Sequence, residues 1–147
     1  LAEQYSLLNP SLDAQGRAMQ QASLLSEAKD YQGAAEAWRA VLAKSPDNSF
    51  AWWRLGHELQ SMGQMEEAVE AANRAAKDPE MRGRALYNVA CARAVQGKKT
   101  EALDALRGAV EAGFNESWWL KNDPDLASIR SEPGFAAILA KAAGDQG

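Results

Sequence analysis

The sequence predicts an all-α protein of short antiparallel helices, and three observations carry that prediction. Helix-forming residues fill most of positions 15–112, while β-branched residues are few and never alternate over a strand's length. Turn signals interrupt this stretch at 44–48, 61–63, 77–79, 96–97 and 111–113, which leaves segments of about 12–15 residues, a common helix length. The third observation is an internal repeat, since Ala34, Ala68 and Ala102 lie 34 residues apart.

The repeat divides most of the chain into three units, each expected to be two helices joined by a turn. The units are residues 15–48, 49–82 and 83–116. Small residues recur at two fixed points, Ala22, Gly56 and Ala90 at one and Ala34, Ala68 and Ala102 at the other. Because helices approach closely only where side chains are small, we expect these positions at helix crossings. Larger residues are expected to fill the space beside them: Trp38, Trp52, Leu55 and Leu59.

Residues 117–147 are expected to form a C-terminal cap, since a terminal repeat must cover the apolar face of its neighbour. Pro124 cannot lie inside a helix, so Asp123-Pro124 predicts an N-cap and the start of a short helix that ends near Arg130. A last helix is expected to carry Phe135, Ile138 and Leu139 and to end at Gly144.

Apolar residues also lie outside the predicted helix pairs. Residues 1–14 contain Tyr5, Leu7, Leu8 and Leu12, and we expect a capping turn or a segment that occupies a groove of this or another copy. Of the adjacent Trp118 and Trp119, one is expected to seal the core and the other to be exposed. Because the chain begins at Leu1 rather than Met, we expect a fragment or a processed product.

Length and charge restrict the class of protein. The 147 residues suffice for a single domain, 1–147, that needs no metal or disulfide, and the one cysteine, Cys91, excludes an internal disulfide. A net charge of −4 argues against nucleic-acid binding, which requires clustered positive charge. No apolar run approaches the ~18 residues of a membrane-spanning helix, so we expect no membrane insertion. The sequence leaves the cellular compartment open.

The 34-residue pattern resembles the tetratricopeptide repeat, a helix–turn–helix unit. Residues 15–48 match it with Ala22, Leu25, Tyr31, Ala34, Trp38 and Pro46; 49–82 with Trp52, Leu55, Gly56, Ala68 and Ala75; and 83–116 with Leu86, Val89, Ala90, Gly97, Ala102, Leu106 and Ala109. Arg93 and Phe114 depart from the family pattern. The tail is similar to caps that follow such repeats in many bacterial proteins. The resemblance implies a right-handed α-solenoid of three repeats and a helical cap.

The resemblance also implies a non-enzymatic interaction module that binds a peptide or partner segment in a concave groove. The first helix of each unit would build that groove. Carried over by position, the candidate binding residues are Met19, Ser23, Phe50, Trp53, Arg54, His57, Arg84, Tyr87, Asn88 and Cys91. Aromatic rings give contact area at low entropy cost, and arginines and amides orient a peptide backbone. The alternative is that Trp53 and Tyr87 only pack between helices.

Some family members hold the C-terminal carboxylates of a peptide with a clamp of lysines, asparagines and arginine. The matching positions here are Met19, Ser23, Arg54, Arg84 and Asn88, and only Arg84 keeps its charge type. The clamp is therefore incomplete. Arg54 and Arg84 could still hold one carboxylate through bidentate hydrogen bonds, so an acidic or C-terminal peptide is one candidate partner.

A row of reactive side chains is the one feature that favours catalysis. Ser23, His57 and Cys91 lie 34 residues apart and so occupy equivalent positions in the three units. A Cys–His pair can form a nucleophile, but helix axes packed ~8–10 Å apart keep short side chains from meeting. Residues 122–125 lack the glycine and distal glutamate of a calcium loop. We therefore expect no catalytic residues, no cofactor and no metal.

Two alternatives to the interaction module stay open. The chain could be a regulatory or recruiting domain cut from a larger enzyme. It could also be a self-assembly module, a weak homo-oligomer in which residues 1–14 of one copy occupy the groove of another.

Overall fold

The computed structural model describes residues 13–144, and this part of the chain is entirely helical and turn. The helices are α1 Ala14–Glu27, α2 Tyr31–Lys44, α3 Ser49–Ser61, α4 Met65–Ala75, α5 Arg82–Val95, α6 Lys99–Glu111, α7 Ser117–Asn122, a 3₁₀ helix Pro124–Ile129 and α8 Phe135–Ala142. The prediction of an all-α fold is confirmed. Of the leading segment expected over residues 1–14, Asp13 caps α1 and Ala14 begins it, while residues 1–12 lie outside the described residues.

Consecutive helices pack against each other in the order of the sequence. The closest packing is within the pairs α1–α2, α3–α4 and α5–α6, and α2 and α4 also contact the first helix of the next pair. In addition, α3 contacts α5 directly. The first helices of neighbouring pairs therefore lie side by side and share one face of the stack. None of the described helices has the length and apolar character that crossing a membrane requires.

Small residues lie at the helix crossings, as predicted. Ala22, Ala34, Ala90 and Ala102 are 0% exposed. At Gly56 a Cβ atom would lie 3.2 Å from the backbone oxygen of Ala68, closer than most real Cβ contacts. The spacing of small side chains in the sequence thus sets how closely the two helices of a pair approach.

The first helix of each pair ends in the same turn. Lys29, Gly63 and Gly97, each 34 residues apart, have φ angles of 63°, 79° and 77°. The residue that follows each of these three donates its backbone N–H to a carbonyl oxygen in the last turn of the helix. The pairs are Asp30 to Leu25, Gln64 to Leu59 and Lys98 to Arg93, with an N···O distance of 2.9 Å in all three. This left-handed residue with its backward hydrogen bond is the Schellman motif, and it reverses the chain into the second helix.

The core divides along the stack. One cluster fills the pairs α1–α2 and α3–α4 around Trp38, which is 0% exposed. A second cluster joins α5 and α6 to the C-terminal cap, around Leu106. Val69, Ala72, Val89 and Ala92 form a smaller cluster between the two. Each layer of the fold is therefore buried by its neighbours in the sequence, as in a solenoid.

The C-terminal cap packs on α5 and α6 through its apolar residues. The short helix predicted after Asp123 is the 3₁₀ helix, and the Asp123 carboxylate caps it by accepting the N–H of Asp125 at 3.0 Å. Leu120, Leu126 and Ile129 are fully buried. The prediction that Trp118 or Trp119 seals the core is wrong, because both rings are exposed and Leu120 takes that place.

Candidate functional site

A cavity of about 670 Å³ lies between α3, α5 and the C-terminal cap, and we call it the α3–α5 cavity. Six of the predicted site residues line it: Trp53, His57, Arg84, Tyr87, Asn88 and Cys91. The remaining four, Met19, Ser23, Phe50 and Arg54, lie outside it. The structure therefore brings together all the predicted residues of the third unit and two of the second, and it leaves outside the cavity those of the first unit together with Phe50 and Arg54.

Arg54 is occupied by contacts inside the fold. Its guanidinium group donates to Ser23 Oγ at 3.1 Å and lies 5.1 Å from the centre of the Trp38 ring. It also lies 4.0 Å from the carboxylate of Glu58. Arg54 and Ser23 thus join α1 to α3, and the pair of arginines predicted to hold one carboxylate is reduced to Arg84.

Met19 and Phe50 contact the core of the first two helix pairs. The Phe50 ring lies between two tryptophans, 5.9 Å from Trp38 and 5.5 Å from Trp53 between ring centres. The Met19 sulfur accepts a hydrogen bond from the Asn48 side chain at 3.7 Å. Phe50 therefore packs against Trp53, which lines the cavity, whereas Met19 contacts only the core and the N-cap of α3.

Glu58 is a buried carboxylate that the sequence did not single out. It is 0% exposed, and one oxygen accepts a hydrogen bond from Ser26 Oγ at 2.8 Å. His57 Nδ1 lies 3.4 Å from the same oxygen. Glu58 therefore ties α1 to α3 and positions the His57 ring at the edge of the cavity.

The C-terminal cap places two carboxylates in the cavity. Asp123 accepts hydrogen bonds from the Tyr87 hydroxyl at 2.5 Å and from the Cys91 thiol at 3.7 Å. Asp125 accepts one from the Gln60 side chain at 3.0 Å. Residues of α3 and α5 are thus bonded to the cap, which closes one end of the groove that the two helices form.

The electrostatic environment keeps the Tyr87 phenol and the Cys91 thiol beside Asp123 neutral. Burial raises the pKa of the Cys91 thiol well above its ordinary value, and the charges of Asp123 and Asp125 raise it further. Burial also raises the pKa of Tyr87, with smaller contributions from Cys91 and Asp123. Partial burial and the neighbouring Asp123 raise the pKa of Asp125, against smaller opposite effects of Gln60 and His57. At neutral pH the thiol and the phenol therefore act as hydrogen-bond donors.

The row Ser23, His57 and Cys91 does not form a catalytic set in this geometry. Each has a different partner: Ser23 bonds to Arg54, His57 lies against Glu58, and Cys91 bonds to Asp123. Ligand atoms of Cys91, Asp123 and Asp125 do lie within 4.8 Å of one another, close enough for a metal ion. The raised pKa keeps the Cys91 thiol protonated, and the Asp123 carboxylate already accepts hydrogen bonds from Tyr87 and from the backbone of Asp125. These groups therefore form a hydrogen-bonded network among themselves.

Aromatic rings form the remaining walls of the cavity. Tyr87 stacks on Phe114 with ring centres 4.4 Å apart, and the Arg84 guanidinium lies 5.7 Å from the centre of the Trp53 ring. Trp119 adds a ring that is 47% exposed. The sequence contained one signal for this aromatic wall, because Phe114 departs from the repeat pattern. No feature of the sequence indicated that the C-terminal cap lies beside α3.

Comparisons with known proteins agree with this architecture. The tetratricopeptide repeat family matches residues 25–90. A chloroplast protein of Arabidopsis thaliana is 30% identical over 89 residues, which cover 58% of this chain and 27% of that protein. The chain thus matches about a quarter of that relative's length.

A solved structure shares the fold along most of the chain. The structure described as "MamA RS-1 ArsTM double mutant" matches with a TM-score of 0.72 and 18% identity, over 96% of this chain and 79% of that one. At this identity the likeness is one of fold alone. The number of repeats and the bacterial type of the cap stay predictions.

Proposed function

Since this chain belongs to the tetratricopeptide repeat family over residues 25–90, and such domains generally mediate protein–protein interaction, we propose that it binds an extended partner peptide in the α3–α5 cavity. Domains of this family are typically non-catalytic. The single observation that carries the proposal is the cavity itself, about 670 Å³ between two helices and a cap. That volume falls within the range of about 300–1,000 Å³ that is ordinary for ligand sites.

The lining of the cavity suits a peptide. Rings of Trp53, Tyr87 and Trp119 offer apolar area to side chains, and Asn88 and Gln60 offer amides. Tyr and Trp are the residues that most often anchor protein interfaces, because they bury a large area at low entropy cost. A partner segment would therefore find both apolar contacts and hydrogen-bonding groups along one face.

Two N–H donors of the lining residues are unpaired. Trp53 Nε1 and Asn88 Nδ2 are buried, and neither has an acceptor within the described part of the chain. An unpaired buried donor costs about 1–3 kcal/mol. Because neither nitrogen atom is open to solvent, a peptide carbonyl group reaches it only after the Trp53 or Asn88 side chain rotates.

Selection from a random library of 12-residue peptides tests the proposal. The test variant carries His57→Ala, Arg84→Ala and Trp119→Ala, three exposed side chains that line the cavity. The control carries Asn73→Ala, Arg107→Ala and Trp118→Ala, three exposed side chains that lie outside it. We expect peptides that bind the wild type and the control equally and lose at least about tenfold in affinity for the test variant, or ~1.4 kcal/mol.

Circular dichroism first establishes that both variants remain helical. A library that enriches no peptide would contradict the proposal. Enriched peptides that bind the test variant as well as the wild type would move the site away from the α3–α5 cavity.

A further inference from the structure

Acidic side chains outnumber basic ones among the described residues that line the α3–α5 cavity. Three carboxylates line it, those of Glu116, Asp123 and Asp125, against one guanidinium group, that of Arg84. No lysine of the described residues lines it. Because a cavity lined mainly by one sign of charge concentrates ligands of the opposite sign, this end of the groove favours a cation.

Of the two aspartates of the C-terminal cap, Asp125 is the one whose carboxylate is open to a ligand. Asp123 already accepts hydrogen bonds from Tyr87, Cys91 and the backbone of Asp125. The Asp125 carboxylate accepts a bond from Gln60, and no lysine or arginine of residues 13–144 forms an ion pair with it. It is half-buried, so a ligand reaches it while much of the surrounding water is excluded.

Arg84 lies about two helical turns from the residue of α5 that contacts Asp123. Asp123 contacts Cys91, whereas Arg84 lies seven residues earlier on the same helix. Seven residues of helix correspond to roughly 10 Å. Arg84 also lies over the Trp53 ring. Within the described part of the chain, no lysine or arginine forms an ion pair with either aspartate carboxylate, and the Arg130 guanidinium group donates instead to the backbone carbonyl group of Asp123.

We propose that the cap end of the α3–α5 cavity binds a lysine or arginine side chain of the partner peptide, with Asp125 as the direct contact. This deepens the proposed function and rests on it. Asp123 adds negative charge behind Asp125, and the exposed Trp119 ring offers a face that attracts a cation and packs against its aliphatic stem.

Charge complementarity distinguishes this partner from the occupants considered on the sequence alone. The acidic peptide expected from two arginines would meet three carboxylates and a single guanidinium group, that of Arg84, among the described lining residues. Residues 1–12 of the chain contain no lysine or arginine, so they lack the group that the aspartates select. A basic segment of a different protein fits the site.

A double-mutant cycle on a selected peptide tests the inference. The peptides are those enriched from the 12-residue library, synthesised again with each lysine or arginine replaced by glutamine. The protein variants are Asp125→Asn, which keeps an acceptor for Gln60, and Asp104→Asn as an exposed control outside the cavity. We expect one basic position at which the glutamine peptide binds the wild type about tenfold more weakly. Asp125→Asn should cause a similar loss for the basic peptide and little for the glutamine peptide.

Any other outcome contradicts the inference, and the outcomes show whether the proposed function fails with it. Peptides that require the cavity residues but show no basic preference, or that prefer acidic residues, would contradict the role of Asp125 while supporting peptide binding. Equal losses on Asp125→Asn for both peptides would show a structural role. Binding that disappears on addition of EDTA would assign Cys91, Asp123 and Asp125 to a metal ion. Peptides insensitive to the cavity variant would contradict the proposed function itself.

Discussion

Asp123 connects more parts of the cavity than its neighbours do. Its two carboxylate oxygens accept bonds from Tyr87, Cys91 and the Asp125 backbone, and its carbonyl group accepts a bond from Arg130. Asp123 therefore begins the 3₁₀ helix and attaches it to α5 at the same time. Its negative charge also acts on Asp125, whose pKa is raised by partial burial and by this neighbour.

We expect Asp125→Asn to stabilise the protein at neutral pH and not in acid. A carboxyl group whose pKa is higher in the folded state binds protons more readily there than in the unfolded chain. Stability of the wild type therefore falls as pH rises from the ordinary pKa of an aspartate through the raised pKa of Asp125, and the uncharged variant is spared that loss.

Urea denaturation of both proteins from pH 3 to pH 8 measures this effect. The advantage of the variant should grow with pH and level off above the raised pKa. A difference that is constant with pH, or that favours the wild type at neutral pH, would contradict it.

At the scale of the element, the turns that end α1, α3 and α5 show how a 34-residue repeat in sequence produces the same backbone conformation three times. Gly63 and Gly97 adopt the left-handed conformation without steric cost, whereas the first turn adopts it with Lys29. The backward hydrogen bonds are the same in all three turns. The turn geometry is therefore imposed by the packing of the helices on either side, and the sequence of the first turn is the least suited to it.

We expect Lys29→Gly to stabilise the protein by about 0.5–1 kcal/mol. A non-glycine residue in the left-handed region costs roughly 1–2 kcal/mol, and the flexibility that glycine adds to the unfolded chain offsets part of that gain. Thermal or chemical denaturation gives the change in free energy of unfolding.

Lys44→Gly is the matched control, since Lys44 is an exposed lysine in the last turn of α2. Glycine inside a helix is unfavourable, so this variant should lose stability. Equal changes in the two variants would show that the conformation of Lys29 carries no strain.

At the scale of the whole molecule, the fold is a stack in which each layer depends on its neighbours. The core around Trp38 belongs to the first two helix pairs, and the core around Leu106 belongs to the third pair and the C-terminal cap. A smaller cluster of apolar residues from α4 and α5 lies between them. We therefore expect stability to be distributed unevenly along the stack rather than held by one nucleus.

Substitution of one buried residue in each core tests this expectation. Leu126→Ala should cost about 2–5 kcal/mol and Trp38→Ala about 3–5 kcal/mol, because both side chains are fully buried. Hydrogen exchange should show protection lost mainly in α5, α6 and the C-terminal cap for Leu126→Ala, and mainly in α1–α4 for Trp38→Ala. The same uniform loss in both variants would instead show a single cooperative unit.

The sequence predicted the parts of this protein that repeat. The positions of Ala22, Gly56 and Ala90 indicated the helix crossings, and the turn signals placed the helix ends from residue 44 to residue 113 to within a few residues. The all-α class and the packing of consecutive pairs followed from these. No turn signal marked the turn at Lys29 between α1 and α2. Periodic features can be read from a sequence because each unit is folded by contacts with its immediate neighbours.

Only the tertiary structure decided which side chains face the cavity. Arg54 and Arg84 both looked suited to bind a carboxylate, but Arg54 contacts Ser23 and Trp38, while Arg84 remains exposed. The acidic wall came from residues 36 positions away from Tyr87 and 65 from Gln60, across contacts that do not repeat. The charge of the site is therefore determined by where the C-terminal cap packs. Because the contacts of the cap do not repeat along the chain, the spacing of residues in the repeats does not predict them.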